Sequence, residues 1–450
     1  MQFMKKKAGF PVLYPNAAGI DIASREHYVA VNPDAAEQSI RSFGSFTDDL
    51  HEIAAWLLQC KVDTVAMEAT GIYWVSLYLI LEEAGFEVVL VNAKHVKNVS
   101  GKKSDVKDAE WIRQLHSCGL LSKGFQQDHF TRTLRAYMRH RKNLTEMDAT
   151  HIRMMQKALE QMNIKLQNVI ADITGKSGQA IIKAIIDGEH DPQNLVKLLD
   201  GRIKATKESI CKSLHGIWKT ENLFELKQSF DLYHTYQEMI KECDLHIKRH
   251  IEEKASYCES DQIQSLYPVK KKYKTNKNNL NFDATDMLQK IVGTDLTEIF
   301  GITDTNATEI ISEIGLDMSK WPTAKHFTAW LNLAPNNKVS GGKLLSSRVP
   351  RKRNKAGQIF KMAAFAVQRS KNWLAIFYNR IKMRSGTSRA VTATARKIAV
   401  IFYKLMKEKL RFCPLDRDQY LESFKVRQLK KLKQQATRLG LVLVPDNLVT

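Results

Sequence analysis

From residue 318 to residue 407 the chain contains no aspartate and no glutamate, while the same 90 residues carry 20 lysines and arginines. A stretch without carboxylates cannot hold a hard divalent cation through its own side chains, because such ions take oxygen anions. It is suited to phosphates instead. The formal charge of the chain is +21, so this stretch accounts for nearly all of it and the remainder is close to balanced. Charge concentrated in this way is the electrostatic footprint of a polyanion, and nucleic acid is the obvious partner. Cysteine is scarce: Cys60, Cys118, Cys211, Cys243, Cys258 and Cys413 are scattered with no C-x-x-C pair. Neither a disulfide framework nor a zinc ribbon is indicated, and a reducing cytosol fits best. Long apolar runs are missing as well. Nothing approaches the roughly 18 residues of a membrane span, and Pro11 and Pro15 break the apolar run behind the basic start before it takes signal-peptide form.

The 450 residues, 44% of them hydrophobic, leave room for two or three domains with a core in each. Residues 19–24 (GIDIAS), 27–32 (HYVAVN) and 39–46 (SIRSFGSF) predict three short strands with tight connections, hence an antiparallel meander. Thr47 offers an N-cap, with Asp48 and Asp49 in the first turn, for a helix through Leu58. A strand at 62–67 (VDTVAM), a helix over 73–83, a strand at 86–91 (FEVVLV) and a helix from Asp105 to about Cys118 follow. The order βββαβαβα resembles the ribonuclease H-like fold of nucleases and recombinases.

From about residue 128 to residue 258 the pattern is helical. Leu144, Met147, His151, Met155, Ala158, Met162, Leu166, Val169 and Ile173 step by three or four, and Phe230, Tyr233, Tyr236, Ile240, Cys243, Ile247 and Ile251 do the same. Both stripes suit a helix hairpin or a dimeric coiled coil, an arm rather than a cofactor box. A Lys- and Asn-rich linker over 269–283 reads as a solvated tether or a nucleic-acid strap. The expected divisions are an α/β domain at 1–125, the arm at 126–265, the linker at 266–285, a mainly helical domain at 286–412 and a basic tail at 413–450.

Four carboxylates stand out in the first domain. Asp21 is centred in the apolar first strand, Glu68 ends the fourth, and Asp105 and Asp108 open the last helix at i and i+3, on one face. Strand-end acids converge on that face only if strands one and four are neighbours, as the ribonuclease H-like topology makes them. Clustered carboxylates repel one another unless divalent cations neutralise them, so the set points to Mg²⁺, with two ions as the fuller form. The plainer reading is a set of solvated acids with Asp105 as an N-cap.

Further along, residues 296–315 (LTEIFGITDTNATEIISEIG) resemble a helix-hairpin-helix, with Gly301 at the turn and Thr303 where a second glycine is usual. A plain packing unit is the alternative. In residues 330–367, Ser340 precedes Gly341 and Gly342 in a loop that leaves its hydroxyl open to a large substrate. Lys338, Lys343, Arg348, Arg351, Lys352, Arg353 and Lys355 surround it in sequence as phosphate-binding candidates. On the residues alone, Ser340 is a phosphate contact or a nucleophile. No G-x-S-x-G occurs in this loop and no acid accompanies the serine. Cys243, His246 and His250 share a helix face at i, i+3 and i+7, but a tetrahedral metal site needs a fourth ligand, so a packed or solvated face is the better reading.

Taken in order, GIDIAS, MEATGIYW, KKSDVKDAEWI, the helical arm, IFGITDTNATEIISEIG and LNLAPNNKVSGGK resemble the transposases of the insertion-sequence 110 family over nearly the whole chain. The resemblance implies a RuvC-like amino-terminal domain with a DEDD tetrad at Asp21, Glu68, Asp105 and Asp108, and a carboxy-terminal transposase domain with its catalytic serine at Ser340. It implies a Mg²⁺-dependent attack of Ser340 on a DNA phosphate, in a dimer or tetramer where the tetrad of one protomer meets the serine of another. It further implies donor and target DNA as substrates, a structured guide RNA, no membrane, and a place in the cytoplasm with the nucleoid. Two other readings stay open: a RuvC-like nuclease that uses water, and a non-catalytic nucleic-acid scaffold.

Overall fold

The computed structural model describes residues 11–69, 71–91, 105–121, 124, 127–201, 203–258, 277–350 and 353–442, with the side chains of 105–107 outside that description. Chain contacts divide the protein into two units, Met1–Gln126 and Gln127–Thr450.

In the first unit, β1 (Ala17–Ile22), β2 (Glu26–Ala30), β3 (Ile40–Gly44), β4 (Thr64–Glu68) and β5 (Glu87–Val91) form one sheet in the order β3-β2-β1-β4-β5. The meander is antiparallel, and β1 then pairs parallel with β4, and β4 with β5. Alternation along the strands gives the sheet two apolar faces. Ala18, Ile20, Ile22, Val29, Val65 and Met67 pack under α1 (Thr47–Gln59) and α2 (Trp74–Glu83). Ala66, Val89 and Val91 pack with Ile112 of α3 (Asp105–Ser117) on the other side. The result is a mixed α/β layer structure, consistent with the ribonuclease H-like class. One cap differs from expectation. Phe46, not Thr47, caps α1, because Asp49 reaches back to accept the Phe46 amide at 2.9 Å and satisfies it in place of a hydroxyl cap.

Two buried histidines give this unit a pH dependence. Burial pushes His27 below its ordinary value against the opposing pull of Asp49, and burial does the same to His116 against Glu87. His116 Nε2 lies 2.9 Å from Thr64 Oγ1. The unfolded chain therefore binds more protons than the folded one below about pH 6.5, and stability falls as pH falls. The expected slope approaches 1.4 kcal/mol per pH unit for each histidine. Urea titrations between pH 7 and pH 5.5 are expected to show the decline, and His116→Gln to flatten it; a flat profile in the unaltered protein would sink the assignment.

The second unit begins with α4 (His129–Gln161), which packs antiparallel along α8 (Thr220–Ser256). The second apolar stripe behaves as read, with Phe230, Tyr233, Ile240, Cys243, Ile247 and Ile251 buried. The first does not continue as one helix to Ile173. Asn163 takes a left-handed φ of 58°, which terminates α4, and Leu166 and Ile173 turn into a separate helical lobe. That lobe, with α5 (Lys176–Ile186), α6 (Pro192–Val196) and α7 (Lys207–Leu214), closes a core with Met155, Leu159 and Leu226 at the far end of the helix pair. Cys243, His246 and His250 are occupied in packing: the thiol points to the Tyr137 carbonyl, His246 stacks on Tyr137, and His250 Nε2 lies 2.9 Å from the Phe130 carbonyl oxygen.

A buried ion pair ties the arm to the chain that follows. Arg141 Nε donates to Asp244 Oδ1 at 2.5 Å, and its remaining donors reach the carbonyls of Asn278 and Asn279. Asp244 also accepts the amide and side chain of Asn281. Linker residues 269–276 lie outside the described residues.

Beyond them come α9 (Thr285–Val292), α10 (Asp304–Ile314), α11 (Ala324–Trp330), a hairpin of β6 (Lys338–Ser340) and β7 (Lys343–Ser346), then α12 (Lys355–Val367), α13 (Trp373–Ser385), α14 (Thr387–Glu408) and α15 (Arg417–Arg438). Phe327, Phe360, Phe402 and Tyr378 are fully buried among these helices. Tyr403 donates its hydroxyl to the Trp321 carbonyl at 2.7 Å. No helix among the described residues is long and apolar enough to cross a membrane.

Candidate functional site

The four carboxylates belong to one face and one end of the first sheet. β1 and β4 are parallel with Ile20 opposite Met67, so the next residues along, Asp21 and Glu68, stand level at the carboxyl ends of neighbouring strands. Both fall on the α3 face, because they alternate with Ile20 and Met67 of the opposite core. Helix α3 runs against the strand direction. Its final turn sits at the start of β4, through Thr64 and His116, and its middle crosses β1 at Gly19. Asp108 therefore lies toward the strand ends, on the sheet-facing stripe that continues through Ala109, Ile112 and His116. Asp105 opens the same helix and belongs to the same stripe by position.

Asp21, Glu68 and Asp108 are half-buried. The partial positive charge at the start of α3 lowers the cost of bringing acids together there. The donors are all carboxylate oxygens, with no imidazole or thiolate among them, which fits a hard divalent cation rather than zinc. Among the described residues no three acids, cysteines or histidines close around a metal position by themselves. The Asp105 side chain is outside that set.

Gly19 is a close-packing position beside these acids that carries no motif signal. A Cβ there would stand 2.3 Å from the Arg113 backbone nitrogen and 2.5 Å from the Ala109 carbonyl oxygen. Only a hydrogen lets α3 approach β1 closely enough to bring Asp108 toward Asp21. A lone glycine in a strand carries little local signal, although it does mark close backbone approach.

Ser340 ends β6, and the expected loop is a two-residue β-hairpin turn. Val339 pairs with Leu344 and Ser340 with Lys343. Gly341 and Gly342 take φ of 53° and 75°, both left-handed, the conformation of a type I′ turn. Space around them is open, so conformation alone calls for glycine here. The Gly-Gly pair between short apolar runs was a hairpin signal. Lys338, Ser340, Gly341 and Lys343 are exposed, as are Arg348, Arg353 and Lys355. Arg351 and Lys352 lie outside the described residues. Burial and then the neighbouring Arg139 press Lys355 below the usual lysine range, against the pull of Glu313. Among the described residues no side chain hydrogen-bonds to the Ser340 hydroxyl.

Gly301, the expected hairpin turn, has φ of 85°, and a Cβ would stand 2.5 Å from the Ala363 carbonyl oxygen on α12. The first turn of α10 is engaged internally: Thr303 caps it through the Asn306 amide, Thr305 accepts the Leu280 amide, and Asp304 accepts the Ala284 amide. These contacts tie the start of α10 to the preceding chain of its own unit.

A mixed sheet in this order, with acids at the carboxyl ends of neighbouring strands, is consistent with the ribonuclease H-like class. Residues 18–164 match the family model of the DEDD-type insertion-sequence 110 transposases, and residues 293–379 match that of the transposase IS116/IS110/IS902 family. The two matches together span just over half of the chain, which belongs to this family of transposases. No curated protein matches it.

Proposed function

We propose that this transposase is a Mg²⁺-dependent, RNA-guided DNA recombinase that works through a serine–phosphate bond. The observation that carries the reading is the split between two kinds of chemistry. Asp21, Glu68, Asp105 and Asp108 share one end of a sheet, while Ser340 projects on a hairpin in a stretch that has 20 cations and no acid. Those carboxylates would hold Mg²⁺, which when bound would offer positive charge to the phosphate oxygens of the transition state. Ser340 Oγ attacks phosphorus and loses its proton, the new Oγ–P bond replaces one sugar–phosphate bond, and the departing sugar oxygen takes up a proton. Attack by another sugar hydroxyl reverses the exchange, rejoins DNA and returns the serine. The cations around Ser340 hold the phosphodiester during both steps. A structured RNA that selects donor and target is the partner this family reading brings, and oligomers provide the complementary halves.

The test uses the full chain with Mg²⁺, element-end DNA and RNA transcribed from the DNA beside its gene. A denaturant-resistant protein–DNA adduct is expected, absent in Ser340→Ala and reduced more than ~100-fold in Asp21→Asn. An adduct in Ser340→Ala would show that the serine is not the nucleophile. Cleavage lost in Asp21→Asn but intact in Ser340→Ala would point instead to a water-using nuclease. Recovery of cleavage on mixing the two variants is the expected sign that halves from different protomers cooperate.

A further inference from the structure

Sequence reading put the nucleic-acid contacts on the residues that flank Ser340. The second unit contains a further feature that those residues do not account for: a cleft of about 1030 Å³ along α13 and α14. Its cations are Arg348, Arg389, Arg396 and Lys397, and its lining includes the rings of Trp373 and Phe377, over which the Lys397 ammonium lies 5.6 and 5.1 Å from the centroids. No acid lines it, since all of these residues fall in the carboxylate-free stretch. Among the described residues none of the four cations has an ion-pair partner. Arg389, Thr392, Arg396 and Val400 follow at i, i+3, i+7 and i+11, one face of α14, and the opposite face is buried through Ala395, Ile398 and Phe402. At 1.5 Å per residue that face is about 16 Å long. Cations with hydroxyls from Ser388 and Thr392 thus edge a trough whose floor is apolar and aromatic.

The trough is concave and of the size of the larger ligand pockets. An acid-free, hydroxyl-bearing edge suits phosphates, and an apolar floor suits unpaired bases, which expose their faces only when unstacked. Lys397 is also crowded by cations from outside the cleft. Burial lowers the pKa of Lys397, and Arg380 and Arg427 lower it further. An incoming phosphate relieves that repulsion. The position matters too. The Asn336 amide donates to the Arg348 carbonyl at 3.0 Å, which closes the foot of the Ser340 hairpin, and Arg348 is itself in the cleft wall. Ser340 is four residues up the strand from Asn336, about 13 Å at ~3.3 Å per residue.

We propose that the α13–α14 cleft is a binding site for a single-stranded segment of nucleic acid, with phosphates on Arg389 and Arg396 and bases along the apolar floor. This deepens the reading of the chain as a nucleic-acid recombinase, and it is tested by binding alone, so its failure leaves the adduct experiment untouched. The probes are one labelled single-stranded DNA oligonucleotide, an RNA oligonucleotide of the same sequence, and the corresponding DNA duplex, each titrated against the full chain at several salt concentrations. The R389Q/R396Q double variant is expected to weaken single-strand binding at least ~10-fold and to reduce the salt slope by about 1.4, the value for two lost phosphate contacts on a single strand. Duplex binding is expected to change less than ~3-fold. Phe377→Leu is expected to weaken single-strand binding without altering the salt slope. A K207Q/K212Q control on the remote lobe is expected to change neither. A larger loss with DNA assigns the strand to the substrate, and a larger loss with RNA assigns it to the guide; either supports the site. Equal losses on duplex and single strand would reduce the cleft to a general polyanion surface, and unchanged single-strand binding would overturn it.

Discussion

Replacing Gly19 with alanine is expected to leave a folded protein that cleaves DNA at least ~100-fold more slowly. The new methyl would lie 2.3 Å from the Arg113 nitrogen, and ordinary contact begins near 3.4 Å, so α3 must retreat by about 1 Å. Overpacking of that kind typically costs ~1–3 kcal/mol. The sheet tolerates such a loss, because α1 and α2 hold the other face through Ile53, Leu57, Leu77 and Leu81, all fully buried. Catalysis is less forgiving: a 1 Å error in the position of reacting groups can cost ~10²-fold. Asp108 moves with α3, whereas Asp21 and Glu68 stay with their strands. Single-turnover cleavage by Gly19→Ala, with circular dichroism and a urea midpoint as folding controls, reads the two effects apart. A rate within ~3-fold of the unaltered protein would mean that the approach of α3 to β1 does not set the site.

The second large effect is expected in the arm. Asp244→Ala removes the only carboxylate that contacts Arg141 among the described residues, and the Arg141 side chain is 7% exposed. Breaking a buried pair from one side strands a charge and costs ~3–5 kcal/mol, more than the pair itself contributes over apolar residues of equal size. The loss extends beyond the arm, because the same two side chains hold Asn278, Asn279 and Asn281. Urea unfolding should show the full cost in Asp244→Ala and a much smaller one in the D244L/R141M double variant. Equal costs for the single and double variants would show that packing, not the stranded guanidinium, dominates. A single-variant loss under ~1 kcal/mol would show that water already reaches the pair.

The contrast between these two residues and the catalytic candidates explains what the sequence makes legible. Asp21 and Glu68 announce themselves because an acid at an apolar strand has few bland explanations, and the strands announce themselves through alternation and short connections. Period-based reading succeeds wherever local pattern and tertiary packing agree. It carried the first arm stripe past Asn163 because the lobe residues Leu166 and Ile173 keep the same spacing in a different direction. The Arg141–Asp244 pair joins residues 103 positions apart, and the cleft gathers Arg348 with Arg389 and Arg396 from separate elements. Nothing local marks such partners. The hairpin that carries Ser340 was within reach, since two glycines between short strand-formers specify a type I′ turn.

The root of the arm has a mechanical consequence. Gln127 donates to the carbonyls of Ser312 and Glu313, Arg135 donates to the same two, and Arg139 grips the Glu313 carboxylate with bonds of 2.8 and 2.9 Å. Burial holds the Arg135 guanidinium down to about 10, still charged at neutral pH, where the exposed carbonyls of a helix end favour a cation. Helix α4 is therefore clamped at its base to α10, which packs on α12 next to the serine hairpin. The 33-residue helix extends about 50 Å from that clamp at 1.5 Å per residue. It is a spoke fixed to its hub: torque applied at the rim passes through α10 to α12 and so to the foot of the serine hairpin.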